Sequence, residues 1–259
     1  MTTDATGTGD PGRTLALLWR RAVAAPAAGR GRRRGPRQGR TVDEIVDAAI
    51  ALADAAGLDA VTMRAVAQAL GIAPMSLYTY LPGKGELLDL MLDTVYARMP
   101  RPDRSGRSWR ARAAAVAADN RTLYAAHPWA AAVTTGRPPL GPGLMAKYDY
   151  ELRAFDDTGL DDVRRDAALT YLLDFVRAAA RTAGETRAVR RDSARSEQEW
   201  WAANGPLLAR VLDEREYPLA VRVGAAAGAA QGAAYDPDRA YEFGLARVLD
   251  GLAALIEKT

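Results

Sequence analysis

The strongest constraint on this chain is that almost every periodic stretch carries the helical pattern. Apolar residues recur at three- and four-residue spacing and alanine is abundant. β-Branched residues never alternate with polar ones over a strand's length, and no Asn-Gly hairpin signal occurs. The chain is expected to be all-α.

Glycine and proline cut that pattern into helices. Thr41, with Glu44 three residues on, makes a capping box for a helix that Gly57 stops. Thr62 opens a second helix, ending at Gly71. A third starts near Pro74, a residue favoured in a first turn because it has no N–H to satisfy, and is expected to run to Tyr80, before Leu81-Pro82-Gly83. A fourth covers 84–99, and Pro100 and Pro102 close the unit. Further helices are expected at about 108–125, 141–156, 161–183, 196–212, 217–232 and 237–257, with loops at His127-Pro128, 136–139 and Asp236-Pro237. The expected organisation is an N-terminal extension over 1–40, a small helical unit over 41–99 and a larger helical body over 100–259. Within the extension, LALLWRRAV (Leu15 to Val23) reads as a short docked helix.

Composition narrows the function. The chain has no cysteine and one histidine, His127, so thiolate metal sites, a cysteine nucleophile and a histidine metal cluster are excluded. No nucleophile or acid–base pair stands out, so no enzyme, cofactor or metal is expected. No apolar run reaches the roughly 20 residues of a membrane span, and the start lacks a signal-peptide pattern; no membrane partner and a cytoplasmic location are expected. Charge is unevenly placed. Residues 1–40 hold nine Arg against two Asp, a net +7, while 41–99 hold three basic and eight acidic residues, a net −5. Most of the Arg lies in GRGRRRGPRQGR (Gly29 to Arg40), which cannot bury itself and stays solvated until it meets a polyanion.

Residues 62–80 are where the chemistry concentrates. Two short helices around a tight turn at Gly71-Ile72-Ala73 make a helix-turn-helix, which Val66, Leu70, Ile72 and Leu77 can hold together. The second helix can then enter a major groove. Ser76, Thr79 and Tyr80 can exchange hydrogen bonds with bases, and Met75 can touch a thymine methyl. Tyr78 and Lys84 can reach phosphates. Tyr78 and Tyr80 project about 200° apart, so both cannot share one buried face. The Arg arm directly before the first helix, with Arg33, Arg34, Arg37 and Arg40, adds a route to phosphates or the minor groove.

Residues 41–99, above all TMRAVAQALGI and LYTYLPGKGELL, closely resemble the DNA-binding domain of TetR-type (tetracycline-repressor-like) transcriptional regulators. The resemblance implies a dimer on palindromic double-stranded DNA. Arg64, Pro74, Met75, Ser76, Thr79 and Tyr80 would face bases, and Thr62, Tyr78 and Lys84 would hold phosphates. AAHPWAAAVTTGRPPLGPGLM and YEFGLARVLDGLAALI resemble the matching C-terminal domain, in a branch with an N-terminal RTLALLW extension. This implies a ligand pocket for an unidentified small-molecule effector, and a dimer interface made by 161–183 and 237–257.

The last helix carries an apolar stripe that includes Phe243, Leu249, Leu252 and Ile256, which faces either a second copy or its own core. Trp109, Tyr124, Trp129, Tyr148, Phe155, Tyr171 and Phe175 either line the pocket or fill the core, and His127 caps or packs at a helix junction. The expected function is ligand-gated repression, with the 84–99 helix passing the signal. The alternative is a ligand-independent or architectural DNA binder.

Overall fold

The computed structural model describes residues 6–23, 40–133, 137–193, 195–231 and 235–257. Among them are thirteen α-helices and no strand, as the periodicity requires. None of these helices is long and apolar enough to cross a membrane.

The chain begins with α1 (Pro11–Leu18) and α2 (Arg20–Val23), followed by a four-helix unit: α3 (Val42–Ala56), α4 (Met63–Ala69), α5 (Pro74–Leu77) and α6 (Lys84–Ala97). The α3 capping box forms as the sequence predicts. The Glu44 amide donates to Thr41 Oγ1 at 3.1 Å, and the Thr41 amide donates to Glu44 Oε2 at 2.7 Å. Ile45, Val46, Ala49 and Ile50 of α3 bury against Val66 and Ala67 of α4, Leu77 of α5 and Leu87 and Leu88 of α6. Each valine, leucine or isoleucine among them contributes about 1.5–3 kcal/mol on full burial, which lets helices as short as α5 persist.

The body is α7 (Trp109–Ala126), α8 (Pro128–Ala132), α9 (Pro142–Leu152), α10 (Asp162–Asp192), α11 (Glu197–Val211), α12 (Pro218–Gln231) and α13 (Pro237–Ile256). α10 packs along α7, α8 and α13 around Phe155, Leu169, Leu172 and Val176. Among the described residues of α11 and α12, no side chain is buried. Trp200 and Trp201 of α11 meet edge to face, with centroids 4.9 Å apart, and Trp200 is exposed.

Three boundaries differ from expectation. His127-Pro128 opens the short helix α8 rather than a loop, because Pro128 takes a first-turn position. α10 runs to Asp192 rather than 183, because Gly184 stays helical. α9 ends at Leu152, and Arg153–Phe155 tightens into a 3₁₀ turn.

α6 joins the two parts. Its first half packs on α3 and α1, and its face also lies along α9. Near its end, Tyr96 meets a buried polar cluster. The Lys147 ammonium donates to Glu151 at 2.6 Å and sits 5.2 Å from the Tyr96 ring centre, and Asn120 Nδ2 donates to Glu151 at 2.5 Å. Burial pushes Lys147 below the usual lysine range, while Glu151 favours its charged form.

Candidate functional site

The helix-turn-helix is built by its turn. Thr62 caps α4 by accepting from the Ala65 amide at 3.1 Å. At the other end the Gly71 amide donates to Gln68 O and the Ile72 amide to Ala67 O, the paired bonds of a Schellman motif. Gly71 supplies the left-handed conformation this needs, at φ +67°. Val66, Ala67 and Leu77 are fully buried beneath the turn, which fixes the angle at which α5 leaves it.

The α-helical part of α5 ends at Leu77, short of the expected Tyr80. Residues 78–80 continue as a turn in which Thr79 Oγ1 donates to Ser76 O at 2.7 Å. Thr62, Arg64, Pro74, Met75, Ser76, Tyr78 and Thr79 are exposed, Met75 by 77% of its surface and Tyr78 by 47%. Their exposure leaves Met75 and Tyr78 available to a partner. Tyr80 is half-buried against the core, so the two tyrosines do not share one buried face. Lys84 stands partly buried at the start of α6.

Arg40 is engaged otherwise than a free arm would be. Its guanidinium donates to Leu70 O at 2.8 Å, at the C-terminal end of α4, and lies 3.8 Å from Glu44. Arg33, Arg34 and Arg37 lie outside the described residues.

The body contains a cavity of about 620 Å³ between α7, α10 and α13. Its walls include Tyr124, Val176, Ala179, Ala180, Ala183 and Tyr241, with Arg121, Arg187 and Arg190 around them. The run of alanines on α10 is what leaves the space. The Tyr241 hydroxyl is buried without a hydrogen-bond partner, while its ring stacks on Phe175 at 5.7 Å and under the Arg121 guanidinium at 4.3 Å. Arg121 pairs with Asp238 at 2.5 Å, and Asp236 caps α13 through the amides of Asp238 and Arg239. Both acids of the rim are thus occupied. Among the described residues, Arg187 and Arg190 donate to backbone carbonyls, Ala183 O and Tyr235 O. Burial pushes the Tyr124 phenol up to about 12, and Tyr124 neighbours the buried Tyr96 of α6.

Of the seven aromatics expected to line a pocket, the cavity uses Tyr124. Phe175 stands behind Tyr241, and Phe155 is fully enclosed in the core. Trp109 packs half-buried on that core, and Tyr148 and Tyr171 are exposed, Tyr148 donating to Asp166 at 2.7 Å. Buried Trp129 turns to α3, where its indole donates to Asp54 at 2.7 Å. His127 Nδ1 meets the same carboxylate at 2.8 Å.

On α13, Leu249, Leu252 and Ile256 are buried within their own subunit, because the stripe packs on α7 and α10; Phe243 is 67% exposed. The cavity residues that sequence reading missed, Arg121, Arg187, Arg190 and Tyr241, lie on three different helices. Only the α10 alanine run hinted at a gap.

Residues 45–91 match the family described as bacterial regulatory proteins, tetR family, and residues 101–256 match the tetracyclin repressor-like C-terminal domain. The HTH-type transcriptional repressor DrrR1 of Streptomyces coeruleorubidus is 38% identical over 256 residues, covering 98% of this chain and 90% of that protein. Among solved structures, apo ActR from Streptomyces coelicolor superposes with a TM-score of 0.67 at 29% identity, covering 85% of this chain and 97% of ActR. ActR in complex with actinorhodin gives 0.66 at 28% identity, over 84% and 97%. This chain belongs to the TetR family of transcriptional regulators.

Proposed function

We propose that the protein is a ligand-responsive transcriptional repressor, located in the cytoplasm, that binds a palindromic operator as a homodimer and is released when a small molecule enters the α7–α10–α13 cavity. The observation that carries this reading is the pairing, in one chain, of an exposed reading surface on α5 with a cavity holding an unsatisfied buried hydroxyl, Tyr241. Buried polar groups are nearly always satisfied, so a site that leaves one open suits an incoming acceptor. The ActR complexes with actinorhodin and (S)-DNPA support a small-molecule role for this fold.

The head, 41–99, reads DNA through Arg64, Pro74, Met75, Ser76, Thr79 and Tyr80, with Thr62, Tyr78 and Lys84 on phosphates. The Arg33, Arg34 and Arg37 arm adds sequence-independent affinity. The body, 100–259, takes the effector and pairs the subunits through outward faces of α10 and α13, where Tyr171 and Phe243 stand exposed. Pairing on a twofold axis sets the two heads about 34–36 Å apart, one turn of DNA. The cavity fits a flat, largely apolar molecule with an anionic or acceptor group. The alanine wall takes its face, Tyr241 donates to it, and Arg187 and Arg190 attract its charge. An occupant pressing on Tyr124 bears on its buried neighbour Tyr96 of α6, which moves the head.

The test is selection of bound duplexes from a random pool, followed by a release screen with planar aromatic acids. Enrichment of one inverted repeat, with release by a member of the panel, is expected. Sequence-insensitive binding that no compound alters would favour an architectural DNA binder.

A further inference from the structure

α6 buries three carboxylates on one face, Glu86, Asp89 and Asp93, each no more than 6% exposed. Buried carboxylates are costly unless bonded. Asp93 accepts from the Leu144 amide at 2.8 Å, in the first turn of α9. The other two are served from the opposite end of the chain: the Gly7 amide donates to Asp89 Oδ1 at 3.0 Å, and the Asp10 amide to Glu86 Oε1 at 3.2 Å.

The contact is built for close approach. A side-chain carbon on Gly9 would overlap the Glu86 carboxylate, and one on Gly85 would lie 2.5 Å from Thr8 Oγ1. The sequence TGTGD at 6–10 therefore lays bare backbone along a helix, and any larger residue at 9 must force the segment and the Glu86 carboxylate apart.

The same segment is anchored on both sides of α6. Toward the body, Thr6 Oγ1 donates to Arg137 O at 2.6 Å and the Trp19 indole to Leu140 O at 2.8 Å, while Leu18 is buried. Toward the head, Arg20 and Arg21 both bond Asp43 near the start of α3. Arg21 alone would be a weak surface pair, but two guanidiniums converge on one carboxylate that already caps nothing else.

We infer that residues 6–21 form an intramolecular strap, docked on the Glu86–Asp89 face of α6, that ties the head to the body and holds α6 in the position from which DNA is bound. This rests on the reading of α6 as the connection between cavity and head. Each subunit must present its head at one spacing, so freedom in α6 is freedom lost on binding, and the strap removes it beforehand. The strap makes no use of the α5 surface, so base preference does not depend on it.

The experiment uses full-length protein in two forms, Gly9→Val, which forces the segment and the Glu86 carboxylate apart, and Thr6→Val/Trp19→Phe, which cuts the body anchors while sparing the fold. Hydrogen exchange is followed in 6–23 and 84–97, and affinity is measured for the duplex that wild-type protein selects from a random pool. Both variants should exchange faster in 84–92 and bind that duplex roughly three- to tenfold more weakly, while selecting the same sequence. Unchanged exchange in both variants, or faster exchange with affinity within twofold of wild type, overturns the strap's role. Wild-type protein that enriches no sequence overturns the functional reading instead, and is recognised before any variant is tested.

Discussion

Asp54 of α3 receives the Trp129 indole at 2.7 Å while the His127 ring meets it at 2.8 Å, so one carboxylate of the head fastens the first turn of α8 in the body. A partly buried acceptor with two donors is asymmetric under mutation. Trp129→Phe removes one donor along with part of the buried indole, and should cost about 2–3 kcal/mol. Asp54→Ala strands both donors and should cost more. Urea denaturation followed by both fluorescence and circular dichroism checks this, and equal costs for the two changes would disprove the shared joint.

Asp89 gives a pH signature. Burial, with the nearby Glu86 charge, pushes its carboxyl up to about 6, against the lowering effect of the Gly7 amide. The folded state therefore holds this proton more tightly than the unfolded chain. Ionised Asp89 costs stability above pH 6, and that cost disappears as pH falls from about 6 towards 4. Asp89→Asn keeps an acceptor for Gly7, and should stabilise the protein by up to about 2 kcal/mol at pH 8 with little effect near pH 4. A melting-temperature difference that does not shrink on acidification would contradict this.

The free hydroxyl of Tyr241 predicts opposite signs with and without ligand. Tyr241→Phe removes a buried group that has no partner, so the ligand-free protein should be unchanged or slightly more stable. A bound acceptor would lose its donor, weakening affinity about tenfold. Calorimetry on both forms with a compound found in the release screen measures the two effects.

Gly71→Ala isolates the turn. No atom lies within 4 Å of where its side chain would stand, so the cost is the left-handed backbone alone, about 1 kcal/mol. Thermal melting should show this loss without any change in the sequence selected by the residual folded protein.

On DNA, Met75→Ala should shift base preference at one position of each half-site, whereas Tyr78→Phe should weaken all duplexes similarly and by less than tenfold. Half-buried Tyr80 is a poorer probe, since its removal also opens the core. Selection experiments on each variant would reveal a reversed pattern.

The head was legible because its signals are local. The Thr41–Glu44 box, the Thr62 cap and Gly71 each act within a few residues, and their hydrogen bonds form where sequence places them. The length of α5 was not legible, because Leu77 is held by tertiary burial and the following turn by Thr79 bonding to Ser76. The cavity was harder still. Tyr241, Arg121 and Arg187 are separated by dozens of residues, and an aromatic's identity does not say whether it faces space or neighbours. Trp129 is an example, drawn to Asp54 by a partner 75 positions earlier. The apolar stripe of α13 carried no sign of which residues its own subunit would claim, and Leu249, Leu252 and Ile256 went inward.

Thr6, only 3% exposed, lies close against the Arg137 backbone. A purification handle or reporter fused ahead of Met1 is joined to the strap only five residues before that contact. Preparations that differ only in such a handle would then differ in how firmly α6 is held, and their DNA affinities would not be interchangeable.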